Sequence, residues 1–146
     1  MYSEAISLTY ISFLKNLCVD LSMKDSVVFQ GYTDNVLPYL ISAQGLIVAS
    51  YNEGFGRMTA EASFCGCLVI GRNTGGTKEI LEETGGFLFN TNEELLDSMC
   101  LLADLDQNEY TNRVLFSQNR AVSLYSIEQN VETINGYYCK ILGLSS

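Results

Sequence analysis

Residues 50–61 read Ser-Tyr-Asn-Glu-Gly-Phe-Gly-Arg-Met-Thr-Ala-Glu and connect an apolar run to a segment that is compatible with a helix. The apolar run, residues 46–49, has the length and the β-branched content of a buried strand. Within the connection, Gly54 and Gly56 can adopt backbone angles closed to other residues and let a ligand approach the main chain closely. The sequence therefore predicts a strand, a glycine-containing turn and a helix that begins near Arg57.

The start of this helix is a candidate anion site. Its first N–H groups lack intrahelical partners and carry a partial positive charge that favours a phosphate. Glu53 lies in the turn, and Glu61 lies about five residues into the helix, roughly 7 Å along its axis. This spacing suits a nucleoside diphosphate, with a phosphate at the helix start, a ribose at Glu61 and a further group at Glu53. A dinucleotide site of the Rossmann type instead places its ribose carboxylate at the end of the next strand.

Residues 53–61 resemble the Glu-x7-Glu motif of retaining glycosyltransferases with the GT-B fold, of the large family 4 (group 1) type. Three flanking blocks agree with the same family: residues 28–31 (Val-Phe-Gln-Gly), 66–70 (Gly-Cys-Leu-Val-Ile) and 75–80 (Gly-Gly-Thr-Lys-Glu-Ile). One pair of glutamates is a weak signal, whereas four blocks in the same order are a strong one. The resemblance is close over about residues 27–97 and looser over the remaining helices. Leu68 departs from it, because relatives often have proline there.

The resemblance implies a role for each residue of the motif. Glu53 would be the catalytic residue and would form hydrogen bonds with hydroxyl groups of the donor sugar, and Glu61 would bind the ribose. Backbone N–H groups would bind sugar and phosphate oxygens at Phe55, Gly56, Arg57 and Met58. Donor-binding residues at the rim of the cleft would be Gly75, Gly76 and Thr77. The nucleotide base would lie near Tyr32, Thr33 and Asp34.

Each of these assignments has a plainer alternative. A glutamate in a turn, such as Glu53, is by default a solvated charge, and Glu61 could simply pair with Arg57, four residues earlier on the same helix face. Gly56 could merely permit the helix start. The glycine-rich loop at residues 75–77 is a weak anion signal on its own.

The composition limits the classes of ligand. The chain has 146 residues, which suits one domain with a buried core, and its net charge of −9 argues against a nucleic acid as partner. An anionic ligand must therefore be held by local dipoles and a few cations. The candidate cations near the motif are Arg57, Arg72 and Lys78.

The sequence predicts no metal or cofactor site. It contains no histidine, and Cys65 and Cys67 are too close together for a usual zinc site. Asp104 and Asp106 imitate the Asp-x-Asp metal motif of the GT-A fold, but they lie between two predicted helices and are better explained as a solvated helix end. The resemblance implies that no cofactor is needed and that a nucleoside-diphosphate sugar is the donor substrate.

Alternating apolar strands and helices predict an α/β fold, a Rossmann-like parallel sheet with helices on both faces. Ligands of such sheets bind beyond the carboxyl ends of the strands, where the motif lies. The predicted strands are residues 27–29, 46–49, 68–70 and 86–89. Among the predicted helices, one spans residues 3–21, one follows a cap at Asp34 or Asn35, one spans 57–64, one follows a cap at Thr91 or Asn92, and the last two begin near Asn108 and at Ser126.

The resemblance also exposes a deficit. Residues 1–146 would form a single partial domain, the carboxy-terminal part of a GT-B donor domain without its first β-α-β unit and without the acceptor domain. The missing strands would lie between the strand at residues 27–29 and the one at 46–49. Open sheet edges would then favour self-association or a partner chain. A truncated product, a partial gene and one subunit of a split enzyme remain open.

We therefore expect a retaining glycosyltransferase donor domain, acting in polysaccharide biosynthesis and inactive as the isolated chain. It would transfer a sugar from a nucleoside-diphosphate sugar to an acceptor hydroxyl, with the departing diphosphate stabilised by the helix dipole and cations. The alternatives are a noncatalytic nucleotide-sugar-binding or scaffold subunit and, ranked low, a glycoside hydrolase that uses Glu53 and Glu61. Five cysteines, an odd number, without a signal-like start indicate the cytoplasm, with attachment to the inner membrane face through the missing domain as an open variant.

Overall fold

The structure, a computed structural model, describes the backbone of residues 2–142 and the side chains of residues 9–142. The chain divides into two compact units between Asp34 and Asn35. The expectation that residues 1–146 form a single partial domain remains a prediction.

The first unit contains the predicted amino-terminal helix, α1 (Tyr2–Asp20). The predicted strand at residues 27–29 is wrong, because this segment has no regular secondary structure. A strand must exchange hydrogen bonds with a neighbour, and no described strand pairs with these residues. Val28 consequently has 84% of its surface exposed. The apolar pattern of residues 27–29 is thus not sufficient to form a strand in this chain.

The second unit is built on three parallel strands, β1 (Gly45–Val48), β2 (Leu68–Arg72) and β3 (Phe87–Phe89), in the order β1-β2-β3. The central strand β2 is buried on both faces, as parallel strands usually are. Strand β1 lies at an edge, since β2 is the one described strand that pairs with it. Ile47 and Ile70 are register partners, yet Ile47 is 42% exposed and Ile70 is 1% exposed. The parallel sheet expected from residues 46–49, 68–70 and 86–89 is confirmed.

Six helices surround this sheet: α2 (Leu37–Ser42), α3 (Arg57–Cys65), α4 (Gly75–Thr84), α5 (Asn92–Asp104), α6 (Gln107–Tyr125) and α7 (Ile127–Leu142). Successive residues of a strand point to opposite faces. Val69 accordingly packs in one core cluster with Ala62 of α3 and Leu81 of α4. Ile70 packs in a second cluster with Leu102 of α5. Helices therefore cover both faces, as predicted.

The helix starts follow the predicted capping chemistry with one shift. The Thr91 hydroxyl accepts a hydrogen bond from Glu94 N (3.2 Å), which confirms the predicted cap of α5. Asp106 is the N-cap residue of α6, and its Oδ1 accepts hydrogen bonds from Asn108 N (2.8 Å) and Glu109 N (2.9 Å), so Asp106 lies at a helix end, as expected. Helix α2 begins later than expected, because its N-cap residue is Val36, although Asn35 Oδ1 accepts from Leu37 N.

Helix α7 presents apolar side chains to solvent, and none of its described side chains is buried. Ile127 and Ile141 are 77% and 78% exposed. No helix within residues 2–142 combines the length and apolar character that a membrane crossing requires.

Candidate functional site

The first turn, residues 49–56, follows the carboxyl end of β1 and leads into α3. Gly56 is the N-cap residue of α3 and has φ +81°, a left-handed conformation that favours glycine. A Cβ on Gly56 would also lie 3.0 Å from Thr77 N. Gly54, in contrast, does not have a positive φ. A Cβ on Gly54 would meet nothing within 4 Å, which leaves open space beside this part of the turn.

The second turn, residues 73–77, comprises the two residues after β2 and the first three residues of α4, at the same end of the sheet. Gly76 N donates a hydrogen bond to the Glu53 carbonyl oxygen (3.0 Å). A Cβ on Gly75 would overlap this oxygen, and a Cβ on Gly76 would overlap the carbonyl group of Phe55. The second turn therefore packs backbone against backbone with the first, and its glycines permit that approach.

A pair of threonines joins the two helices below the turns. The hydroxyl groups of Thr59 in α3 and Thr77 in α4 are 3.3 Å apart. Both residues are at most 1% exposed. The structure thus places Thr77 in the core, and the donor-binding role assigned to Gly75, Gly76 and Thr77 remains a prediction.

The two glutamates of the motif have different surroundings. The Glu53 carboxylate is partly exposed and receives no hydrogen bond or ion pair from the described residues. Glu61, the fifth residue of α3, lies 3.9 Å from Arg57, measured from Oε1 to Nε. The Arg57 side chain is 84% exposed and that of Glu61 is 40% exposed, so the pair contributes only about 0.5 kcal/mol. Such a weak pair is easily exchanged for a ligand, and the ribose assignment of Glu61 remains a prediction.

The start of α3 combines a buried N-cap residue, Gly56, with exposed residues on either side. No side chain of residues 9–142 caps it, and the first N–H that bonds back to the N-cap carbonyl is that of Ala60. Phe55 and Met58 beside it are 59% and 38% exposed. The Phe55 ring meets the Tyr125 ring edge-on, with centroids 6.2 Å apart. Burial, followed by the nearby Glu83 carboxylate, raises the pKa of the Tyr125 phenol.

The three cations expected near the site are all engaged. Arg57 faces Glu61, and Lys78 Nζ lies 3.7 Å from Glu82 Oε1 on α4. Arg72 differs from both, because it donates to two backbone carbonyl groups at the end of the sheet. The sequence analysis missed this role of Arg72. The available signal was an arginine at the end of the central strand, with aromatic residues near the ends of both neighbouring strands.

Tyr32, Thr33 and Asp34 lie in the first unit, at the end of the segment that lacks a strand. Tyr32 is 92% exposed. Their proximity to the nucleotide base remains a prediction.

In the part of the chain that the structure describes, no three histidine, cysteine, aspartate or glutamate side chains lie close enough together to bind a metal ion. The expectation that neither a metal nor a cofactor is needed remains a prediction. At the first turn, α3 N–H groups can donate hydrogen bonds and two carboxylates can accept them, which suits a ligand that carries both phosphate and hydroxyl groups.

The chain is similar to several known proteins in sequence or in fold. N-acetyl-alpha-D-glucosaminyl L-malate synthase from Bacillus anthracis is 34% identical over 74 residues, which are 51% of this chain and 18% of the relative. The crystal structure of Anabaena Alr3699/HepE in complex with UDP has a TM-score of 0.75 and 25% identity, and the match covers 93% of this chain and 37% of that one. The structure of Anabaena Alr3699/HepE with UDP and glucose gives a TM-score of 0.70 at 23% identity, over 98% of this chain and 38% of that one.

The chain thus spans well under half the length of these relatives. The structural matches confirm the predicted GT-B type of α/β fold. The profile of the family described as Glycosyl transferases group 1 matches residues 11–104, which is more than half of the chain. The chain belongs to the group 1 glycosyltransferases.

Proposed function

We propose that this chain is the donor-binding part of a retaining glycosyltransferase that transfers a sugar from a nucleoside-diphosphate sugar to an acceptor hydroxyl. The observation that carries the proposal is the open first turn. Its helix start has no side-chain cap among the described residues, and the Glu53 carboxylate beside it has no described partner. Both groups are therefore ready to bind a ligand.

In the proposed complex, the diphosphate lies at the start of α3. Backbone N–H groups from Phe55 to Met58 bind its oxygens, and the helix dipole stabilises the charge that develops as the sugar departs. Arg57 exchanges its weak contact with Glu61 for a phosphate oxygen. Glu61 then binds the ribose hydroxyl groups, while Glu53 binds hydroxyl groups of the sugar. The UDP held by the Anabaena protein supports UDP as the first nucleotide to test.

The proposal includes a partner, because the chain covers little more than a third of the solved relatives. Strand β1 has one edge without a described partner. Beside it lies a mostly apolar hollow of about 180 Å³ between the sheet and α5, lined in part by Ile47, Ile70, Met99 and Leu102. A further strand from the missing β-α-β unit or from a partner chain would pair with β1 and cover this hollow. The isolated chain would then bind the donor without completing transfer.

A titration with UDP and GDP tests the donor site. Glu61→Ala should weaken UDP binding by about tenfold or more, as expected when a hydrogen bond to a charged group is lost. Glu82→Ala is the matched control, because Glu82 forms the equivalent ion pair on α4, and its affinity for UDP should equal that of the wild type. Equal binding by Glu61→Ala would refute the ribose assignment. Absence of nucleotide binding by the wild type would refute the proposed function.

Addition of an acceptor domain from a related enzyme tests the partner. Restored sugar transfer with retention supports a split or incomplete enzyme in polysaccharide biosynthesis. Nucleotide binding with lasting inactivity favours a scaffold subunit. Five free cysteine thiols support the proposal that this enzyme works in the cytoplasm.

A further inference from the structure

Arg72 connects the ends of all three strands. It is the last residue of the central strand β2. Its Nε donates to the carbonyl oxygen of Ala49, directly after β1, and its Nη1 donates to that of Asn90, directly after β3; both distances are 3.3 Å. One side chain therefore fixes the positions at which the chain leaves the two outer strands.

The same guanidinium group contacts two aromatic rings. Its central carbon lies 3.9 Å from the centroid of the Tyr51 ring and 5.0 Å from that of Phe89. Phe89 is fully buried in a core cluster, whereas Tyr51 is 72% exposed and belongs to the first turn. The cation–π contact therefore holds an exposed turn residue against the sheet.

Glu53 lies two residues after Tyr51. Its carbonyl oxygen accepts from Gly76 N, so the segment from Ala49 to Glu53 is fastened at both ends, by Arg72 at one and by Gly76 at the other. We propose that Arg72 is a positioning residue that fixes the direction of the Glu53 side chain by holding Ala49 and Tyr51. This inference rests on the proposed function, because it concerns the glutamate assigned to the donor sugar.

Lysine cannot replace arginine in this role. The planar guanidinium group donates in two directions while it stacks on a ring, whereas an ammonium group is a single point charge on a flexible chain. Arg72→Lys therefore keeps the charge and removes the geometry. Arg113→Lys is the matched control, since Arg113 on α6 also lies over an aromatic ring, that of Phe87, and pairs with Glu109.

The first test uses the protein without nucleotide. In amide NMR spectra of the full chain, Arg72→Lys should shift or broaden the signals of residues 50–55, and Arg113→Lys should leave them unchanged. The wild type should show an Arg Nε–H signal that is shifted by the Tyr51 and Phe89 rings and that is absent from Arg72→Lys but present in Arg113→Lys. Unchanged signals of residues 50–55 in Arg72→Lys would overturn the inference, whatever the chain binds.

The second test distinguishes an effect on sugar binding from an effect on nucleotide binding. Arg72→Lys should weaken binding of UDP-glucose by about tenfold, the effect of one misplaced charged hydrogen bond, while binding of UDP stays as in the wild type. An equal loss for both ligands, or no loss for either, would overturn the role in positioning Glu53. If the wild type binds neither ligand, the proposed function fails and this inference fails with it, whereas normal wild-type binding with an unaffected variant refutes the inference alone.

Discussion

The first and second turns share one local design and differ in what they contact. Each follows a parallel strand at the same end of the sheet, contains two glycines and starts a helix without a side-chain cap from the described residues. The first turn is exposed at Phe55 and presents an unpartnered carboxylate at Glu53. The second turn packs its two glycines against the backbone of the first. The difference shows that glycines at a helix start indicate a close approach of another group to the main chain. The surrounding residues decide whether that group is a ligand or another stretch of backbone.

The same contrast extends to the strands before the turns. Strand β2 is central and buried, while β1 is at an edge and partly exposed. The exposed first turn thus follows the less protected strand, and the second turn follows the best protected one.

Truncation of the register partners Ile70 and Ile47 to alanine should lower the free energy of unfolding by unequal amounts. Ile70→Ala should lower the free energy of unfolding by about 3–4 kcal/mol, because it leaves a cavity in a fully buried site. Ile47→Ala should cost about 1 kcal/mol, since Ile47 is 42% exposed. Urea unfolding of both variants measures the difference. Equal losses would mean that β1 is as well covered as β2 and would contradict the open edge.

Replacement of glycine by alanine should destabilise the protein at Gly76 in the second turn and leave its stability almost unchanged at Gly54 in the first turn. Gly76→Ala should cost about 3 kcal/mol of unfolding free energy, because its Cβ would overlap the Phe55 carbonyl group. Gly54→Ala should change stability by less than about 0.5 kcal/mol, since its Cβ would meet open space. Chemical unfolding compares the two. Similar effects would remove the distinction between the turns.

The buried thiol of Cys67 directly precedes strand β2, whereas strand β1 contains no ionisable side chain. Burial raises the pKa of Cys67 from 9.0 to about 11, with a smaller contribution from Cys65. Between pH 9 and 11 the unfolded thiol loses its proton while the folded one keeps it, so stability falls as pH rises. The loss specific to Cys67 should be roughly 2 kcal/mol.

The measurement is the free energy of unfolding against pH for the wild type and for Cys67→Ala. The wild type should lose more stability than the variant across this window. Cys100→Ala, which removes an exposed thiol, serves as the control and should follow the wild type. Parallel curves for all three proteins would contradict the burial of Cys67.

The surface ion pairs of α3 (Arg57 and Glu61) and α4 (Lys78 and Glu82) should contribute equally little to protein stability but differ in their effect on UDP binding. Arg57→Ala and Lys78→Ala should each change the free energy of unfolding by at most about 0.5 kcal/mol, as expected for exposed pairs. Arg57→Ala should also weaken UDP binding, whereas Lys78→Ala should not. Calorimetric titration tests this, and an equal loss of affinity in both variants would place the nucleotide between the turns.

Local patterns in the sequence were sufficient for much of the fold. Strands and helices of the second unit, the cap at Thr91 and the helix end at Asp106 follow from residue spacing and capping chemistry, which act over a few residues. The strand predicted at residues 27–29 fails because a strand needs a neighbour, and that neighbour cannot be read from the segment itself.

The positions of the two turns could be predicted from the sequence, whereas their mutual arrangement could not. The exposed first turn follows from Gly56 and the strand before it. The contacts of Arg72 with Ala49 and Tyr51, and the support that Gly76 gives to Glu53, depend on residues about 20 positions apart in sequence. Such contacts arise from the order and register of the strands, which residue spacing does not specify.

We propose that the first turn binds the nucleotide and that the second turn supports the first. The most direct measurement is a titration of the chain with UDP, followed residue by residue through amide NMR signals. We predict saturable changes that are largest at Phe55, Gly56, Arg57 and Met58. Changes that are largest in the second turn or in the hollow beside β1, or no change at millimolar UDP, would contradict the claim.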